Sequence, residues 1–370
     1  MRRYAPSSRA VLLFCGTAIA AAVTFVPAIA PSQTLTSADT PALVEYGFRE
    51  GSPIAVPIPF NNPTFGAGLV LGGGYLFQQD EGSGTSFLGG AAFKTDTGSY
   101  GGGLGGRLAF DDNRWQLSTF VGGADLTYDV RDGGIQRSVD QTLLGVRAEA
   151  LYGWDTDVSA GLTLGYLSTE VTPSDPAVSP PFLEGLSDLD LGRIGLVVQW
   201  DGLDNDVYPT RGGFARGRVS QTISVSGPSL SYTKVNADVW RYQPLGSRGV
   251  LAMKAGACVT GEDAPFFDSC LLSGPDGIRG YGYFDHYGQS LAVAQAEYRY
   301  RSAGRLGLAA FFGAGEVFES DQAGDTELNY AGGLGARVTV SKDFGVDLSL
   351  DATLNGDGDS LVYLYVGQAF

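Results

Sequence analysis

Histidine occurs once in the 370 residues, as His286. A metal site built on imidazoles, or a serine nucleophile activated by histidine, would rest wholly on that side chain, and no GxSxG elbow accompanies it. Basic residues are scarce as well: 24 Lys and Arg stand against 40 Asp and Glu, a formal charge of −16. That balance repels a phosphate backbone and argues against nucleic acid as a partner. Beyond residue 40 no window approaches the roughly 18–20 uninterrupted apolar residues that carry a helix across hydrocarbon. The rest of the chain is therefore either soluble or a barrel that crosses a membrane with strands.

What is present begins with a leader. Residues 1–30 place Arg2, Arg3 and Arg9 before an apolar run that ends in the small residues Ala28 and Ala30. Such a segment reads as a signal peptide for export. Pro31 after Ala30 is a poor first mature residue, so the alanines at 19–22 are an alternative place for the cut. Cys15 lies inside the apolar run and leaves with it. The remaining composition, with 55 glycines and 11% aromatic residues, suits short turns and strands better than helices.

Periodicity points the same way. In "FGVDLSLDATL" the residues Phe344, Val346, Leu348, Leu350 and Leu354 alternate with Asp347, Ser349, Asp351 and Thr353. In "VAQAEYRYR" Ala294, Ala296, Tyr298 and Tyr300 alternate with Gln295, Glu297, Arg299 and Arg301, and in "GGLGARVTV" Leu334, Ala336 and Val338 oppose Gly333, Gly335 and Arg337. One alternating strand would suit a soluble sandwich equally well. Repetition decides: segment after segment of ten or so residues, with alternately short and long connections, is the layout of an all-β, antiparallel, up-and-down transmembrane barrel. With the C-terminus periplasmic, every long connection falls on one side, including 128–138, 171–190, 261–287 and 320–327. An even strand count then needs one more strand within 42–60, giving sixteen. The prolines of "SPIAVPIPF" fit that strand badly.

Three stretches carry a resemblance. "WDGLDNDVYPTRGG", with Asp201, Asp204, Asn205, Tyr208, Pro209, Thr210, Arg211 and Gly212, is similar to the D..DN..YPTRG periplasmic turn of the BamA/TamA superfamily of outer-membrane barrels, the bacterial surface antigens. "GIRGYGYFDHYG", with Arg279, Gly280 and Tyr281, resembles the tip of that superfamily's sixth outer loop, which tucks into the lumen. The closing "YLYVGQAF", with Gly367 and Phe370, resembles its C-terminal insertion signal. The likeness covers nearly all of residues 50–370. The family's usual periplasmic POTRA modules have no counterpart in residues 31–49, which are expected to form only a short periplasmic segment between the leader and the barrel domain at 50–370.

The resemblance implies that loop 261–287 folds into the lumen and that Arg279 meets a carboxylate on the inner wall. Alternation offers Asp351 and Asp347 as candidate partners, and an arginine fork can hold either one bidentately. Where the family commonly has an acid on the strand after the loop's own, this chain has Gly313, which shifts the choice to Asp351. Cys258 and Cys270 remain after export into an oxidising compartment, where they either bridge at the root of this loop or stand as two free thiols.

Other chemistry is weak. The glycines of "GAGLVLGGG" precede no helix that could seat a phosphate, and "NGDGDS" at 355–360 reads as a hairpin before it reads as a calcium site. No cofactor, no metal and no enzymatic activity are expected. The expected place is the bacterial outer membrane, with lipids as neighbours and unfolded outer-membrane proteins or a POTRA-bearing subunit as candidate partners. Two functions stay open: a barrel related to assembly and translocation factors, working without covalent catalysis, and a passive pore or structural barrel that kept the fold without the insertase role.

Overall fold

The computed structural model describes residues 46–62, 64–132, 135–154, 157–175, 183, 186, 188–274, 276–318, 328–341 and 346–368. The expected leader at 1–30, most of the expected periplasmic segment at 31–49, the connection at 320–327 and Phe370 lie outside them.

Sixteen strands form one antiparallel sheet in chain order. The first five are β1 Ser52–Asn62, β2 Gly66–Phe77, β3 Ser86–Thr95, β4 Tyr100–Phe110 and β5 Trp115–Asp132. Next come β6 Ile135–Gly153, β7 Val158–Pro173, β8 Leu189–Asp201, β9 Gly212–Ser226, β10 Ser231–Leu245 and β11 Gly249–Thr260. A separate two-residue pair, β12 Cys270–Leu271 and β13 Tyr287–Gly288, closes the base of the long loop. The sheet resumes with β14 Ser290–Arg301, β15 Leu306–Phe318, β16 Asn329–Ser341, β17 Val346–Asn355 and β18 Ser360–Val366. The strand needed near 42–60 is β1. Its three prolines do not break the ladder with β2, which runs unbroken from Ser52 to Asn62.

The two faces have opposite chemistry. On β14 the buried residues are Leu291, Val293, Gln295, Glu297 and Arg299, while Ala294, Ala296, Tyr298 and Tyr300 point outward. Leu308, Phe312, Leu334 and Leu354 are exposed on the neighbouring strands. An exposed apolar belt of this size would be a liability in water and is what a bilayer requires. Inside, β17 presents Asp347, Ser349, Asp351, Thr353 and Asn355, all buried.

Along β5–β7 this arrangement inverts. These strands are 18, 19 and 16 residues long, well beyond the roughly 9–11 that cross a bilayer. Near their long-loop ends the outer face carries polar pairs: Thr142 donates to Asp125 (2.6 Å), Thr127 to Asp140 (2.6 Å) and Ser138 to Asp129. The inner face there is apolar. Leu126, Tyr128, Val130, Val139 and Val171 pack with Phe65, Leu189, Leu191 and two loop residues, Phe266 and Phe284, into one buried cluster. By the general rule for such barrels the long-loop end is extracellular and the short-turn end periplasmic. The cluster therefore stoppers the extracellular mouth.

Candidate functional site

The loop of residues 261–287 descends from this stopper along the inner wall of β14–β18. Its root is tied to the barrel by a disulfide between Cys258 at the top of β11 and Cys270 in β12, with Cα atoms 5.7 Å apart. Its path depends on close approach to the wall. Gly280 has φ 119°, and a Cβ there would collide with that of Ala331 on β16. The Gly280 N–H donates to Tyr363 Oη at 2.8 Å, and its carbonyl accepts from Asn355 Nδ2 at 2.9 Å. Tyr281 Oη donates to the Tyr330 carbonyl at 3.0 Å.

Arg279 sits at the centre. Its backbone N–H donates to Gln295 Oε1 (3.1 Å), Nη1 to Asp351 Oδ2 (2.5 Å) and Nη2 to Glu297 Oε2 (2.5 Å). The guanidinium lies 3.6 Å from the centre of the Phe311 ring, a cation–π geometry. Around it Arg299 Nε donates to Glu297 Oε1 at 2.6 Å, Arg337 donates to Asp351, and Tyr365 Oη donates to Asp351 Oδ2 at 2.7 Å. Glu297 and Asp351 are both fully buried. Each carboxylate thus has at least two guanidinium groups, which is the condition under which buried charges are tolerated.

Of the two carboxylates considered in the sequence, Asp351 meets Arg279. Asp347 meets other groups: Arg301 Nη2 at 2.5 Å and Thr339 Oγ1 at 2.8 Å. Gly313, standing where an acid was expected, faces Ile278 and Gln295, and a Cβ there would press on both. Glu297 was not singled out in the sequence. Alternation had put it on the polar face of β14, but only the descent of the loop makes it the second partner of Arg279.

The turn between β8 and β9 is held by its own acids. Asp204 accepts from the N–H groups of Thr210 (2.9 Å) and Arg211 (3.0 Å) and from Thr210 Oγ1. Partial burial pushes the Asp204 carboxyl up, but these hydrogen bonds outweigh it, and the group titrates below the usual carboxylate range. Asn205 Oδ1 accepts from the N–H groups of Val207 (2.9 Å) and Tyr208 (2.7 Å), and Asp201 Oδ1 accepts from Leu203 N–H (3.2 Å). Pro209 is buried, Arg211 is exposed, and Gly212 takes φ 102° where the chain enters β9. So built, the turn spans the short-turn mouth. At one side Asp206 accepts from Thr85 N–H at 2.8 Å, between β2 and β3. At the other, Tyr208 lies under Arg301 of β14. Gly367 ends β18 with φ 89° and donates its N–H to the Asp347 carbonyl at 2.7 Å.

Among solved structures, a BamA from Haemophilus ducreyi lacking POTRA domains 1–3 matches with a TM-score of 0.57 at 16% identity, covering 86% of this chain and 69% of that one. CdiB from Escherichia coli matches at 0.56 and 14%, and CdiB from Acinetobacter baumannii at 0.55 and 10%, each over 86% of this chain. The chain spans 61% and 58% of those two proteins. At such identities the likeness concerns the fold. No curated protein matches by sequence. The Omp85 superfamily domain matches residues 87–370, most of the barrel, and the chain belongs to the Omp85 superfamily.

Proposed function

We propose that the protein is an outer-membrane barrel of the assembly or translocation type, working through a seam between β1 and β18 rather than through covalent catalysis. The observation that carries this reading is the seam. β1 and β18 lie side by side, yet among the described residues no hydrogen-bonded ladder joins them.

The cause lies in β1. Pro53, Pro57 and Pro59 share one parity, and in a strand the N–H groups of one parity point to one edge. Because the ladder with β2 is unbroken, the missing donors belong to the edge facing β18. That edge can accept but hardly donate, which keeps the seam weak. An incoming strand of a client would then add to β18, whose far edge carries no proline. The same prolines favour the second reading, a barrel that kept the fold without the insertase role, if clients must be templated on β1.

Photocrosslinking groups at Ala55 on β1 and Leu364 on β18, in cells making other outer-membrane proteins, separate the two. Client adducts at Leu364 exceeding those at Ala55 support the proposal. Absence of adducts at both positions, with a steady open conductance in planar bilayers, would overturn it in favour of a pore.

A further inference from the structure

The acidic charge of the chain is not what its lumen presents. Among the described side chains, the inner faces of β4–β9 carry Arg107, Arg137, Arg147, Arg193, Arg216 and Arg218, but only Glu149 and Asp201 as acids. Three of these arginines converge. Arg216 and Arg218 are successive inward residues of β9, and Arg147 reaches the same place from β6. Between them run β7 and β8, whose inward Gly161, Gly165 and Gly195 leave room for long side chains to lie across the wall.

The cations here outnumber their partners. Glu149 takes both Arg216 Nη2 and Arg147 Nη2, the second at 3.1 Å. Arg216 Nη1 also donates to Gln199 Oε1 at 3.0 Å. Arg218 has no hydrogen bond or ion pair among the described residues, and its buried Nε, like that of Arg216, has no acceptor. The other carboxylates that face it are engaged elsewhere: Asp276 of the loop accepts from Asn236 Nδ2 at 3.2 Å, and Asp238 of β10, opposite Arg216 in register, pairs with Lys254 at 3.9 Å. Arg147 remains 47% exposed although it faces inward, so the lumen beside it is open.

Arg107, Arg216 and Glu149 line a cavity of about 440 Å³ at the short-turn end, whose apolar side includes Phe214 and Trp240; Arg147 and Arg218 are not part of its lining. Asp201 and Asp206 lie at its rim, the latter already bonded to Thr85. The apolar stopper closes the opposite end of the barrel.

We propose that the lumen beside this cavity binds a phosphate group between Arg147, Arg216 and Arg218, reached from the periplasmic side. A phosphate oxyanion supplies what the wall lacks, namely several acceptors within reach of planar guanidinium forks. The group can come from free phosphate or from a phospholipid headgroup, and the test distinguishes them.

A single thiol is introduced with Ser118→Cys, at an inward position on the cavity wall, while the two native cysteines stay bridged. The refolded barrel is treated with an anionic sulfonatoethyl or a cationic trimethylammonioethyl methanethiosulfonate. The anionic reagent should react faster by about tenfold or more, as expected where field lines focus in a low-dielectric cleft. Adding Arg218→Gln should bring the ratio towards one, and Arg218→Lys should keep it. Inorganic phosphate should slow both reagents; protection by dihexanoyl phosphatidic acid alone would identify a lipid headgroup as the source. On the unsubstituted chain, calorimetric titration with the same two compounds reads binding without any thiol. A ratio of one or less, a ratio indifferent to Arg218→Gln, or no binding heat from either compound would overturn the proposal.

Discussion

The Arg301 guanidinium lies 3.7 Å from the centre of the Tyr208 ring, and this contact joins the β8–β9 turn to β14, a strand with which neither β8 nor β9 pairs. Arg301 in turn holds Asp347 on β17. One turn is thereby fastened to the far side of the lumen. Tyr208→Ala should lower the temperature at which the barrel loses its heat-modifiable mobility, by the equivalent of about 0.5–2 kcal/mol for a cation–π contact. Tyr208→Phe keeps the ring and should behave as the parent. Equal loss in both would mean that the hydroxyl, and not the ring face, carries the contact.

Arg279→Ala should be the most damaging single change in the loop, because it takes one guanidinium from each of the buried Glu297 and Asp351, which keep Arg299 and Arg337 respectively; breaking a buried pair typically costs about 3–5 kcal/mol, and the remaining partners should hold the loss to the lower part of that range. A double-mutant cycle of Arg279→Ala with Asp351→Asn should show coupling of about 0.5–3 kcal/mol, and with Glu297→Gln likewise. Asp347→Asn, whose partner is Arg301, should be additive with Arg279→Ala. Exchanging the charges of residues 279 and 351 should not rescue the barrel, since the new carboxylate at 279 would face Glu297.

Reduction of the bridge, or Cys258→Ser with Cys270→Ser, releases the root of the loop while the contacts of Arg279 hold its tip. Proteolysis in detergent should therefore cut within 261–269 faster, with little change beyond residue 277. A closed loop of this size contributes about 2–4 kcal/mol where its native geometry is unstrained. Equal protection of reduced and oxidised chains would show that the stopper alone anchors the root.

Phe370→Asp should impair assembly, as expected of a closing aromatic that acts as the insertion signal the sequence resembles, since a charge disfavours the aromatic belt of an outer-membrane barrel. Unchanged surface levels of this variant would count against an insertion signal in the last residues.

Acid should loosen the β8–β9 turn. The folded pKa of Asp204 is depressed, so its stabilising effect is complete above the ordinary carboxylate value of about 3.9 and is lost as pH falls through the lower folded value. Amide exchange across 202–211, corrected for its intrinsic pH dependence, should rise only in that acid window. Asp204→Ala should exchange fast throughout.

Most of the barrel was readable from alternation and from the parity of its connections, because a bilayer demands the same outward chemistry from every strand. β1 was hidden by its prolines, which look wrong for a strand until one edge is known to face a seam. The partnership of Arg279 with Asp351 followed from parity plus a motif. Its partnership with Glu297 did not, because two residues on different elements meet only when the loop has been laid along the wall. Nor was the parity slip on β5 read for what it means: Leu117 and Val121 face outward, whereas Leu126, Tyr128 and Val130 face inward. Tyr208 stood inside a recognised motif, but its reach to Arg301 depends on the width of the barrel mouth.

That slip gives the barrel a depth gauge. Moving β5–β7 inward by two residues would draw Asp125 and Asp140 into hydrocarbon, where lipid-facing charges cost about 2–4 kcal/mol at the midplane and about 0–1 near the interface. Moving them outward would bring Val121 and Leu144 into water. The two penalties oppose each other, so the waterline crosses these strands at one height, near Gly123, and the vertical position of the whole molecule is set by a short band of three strands.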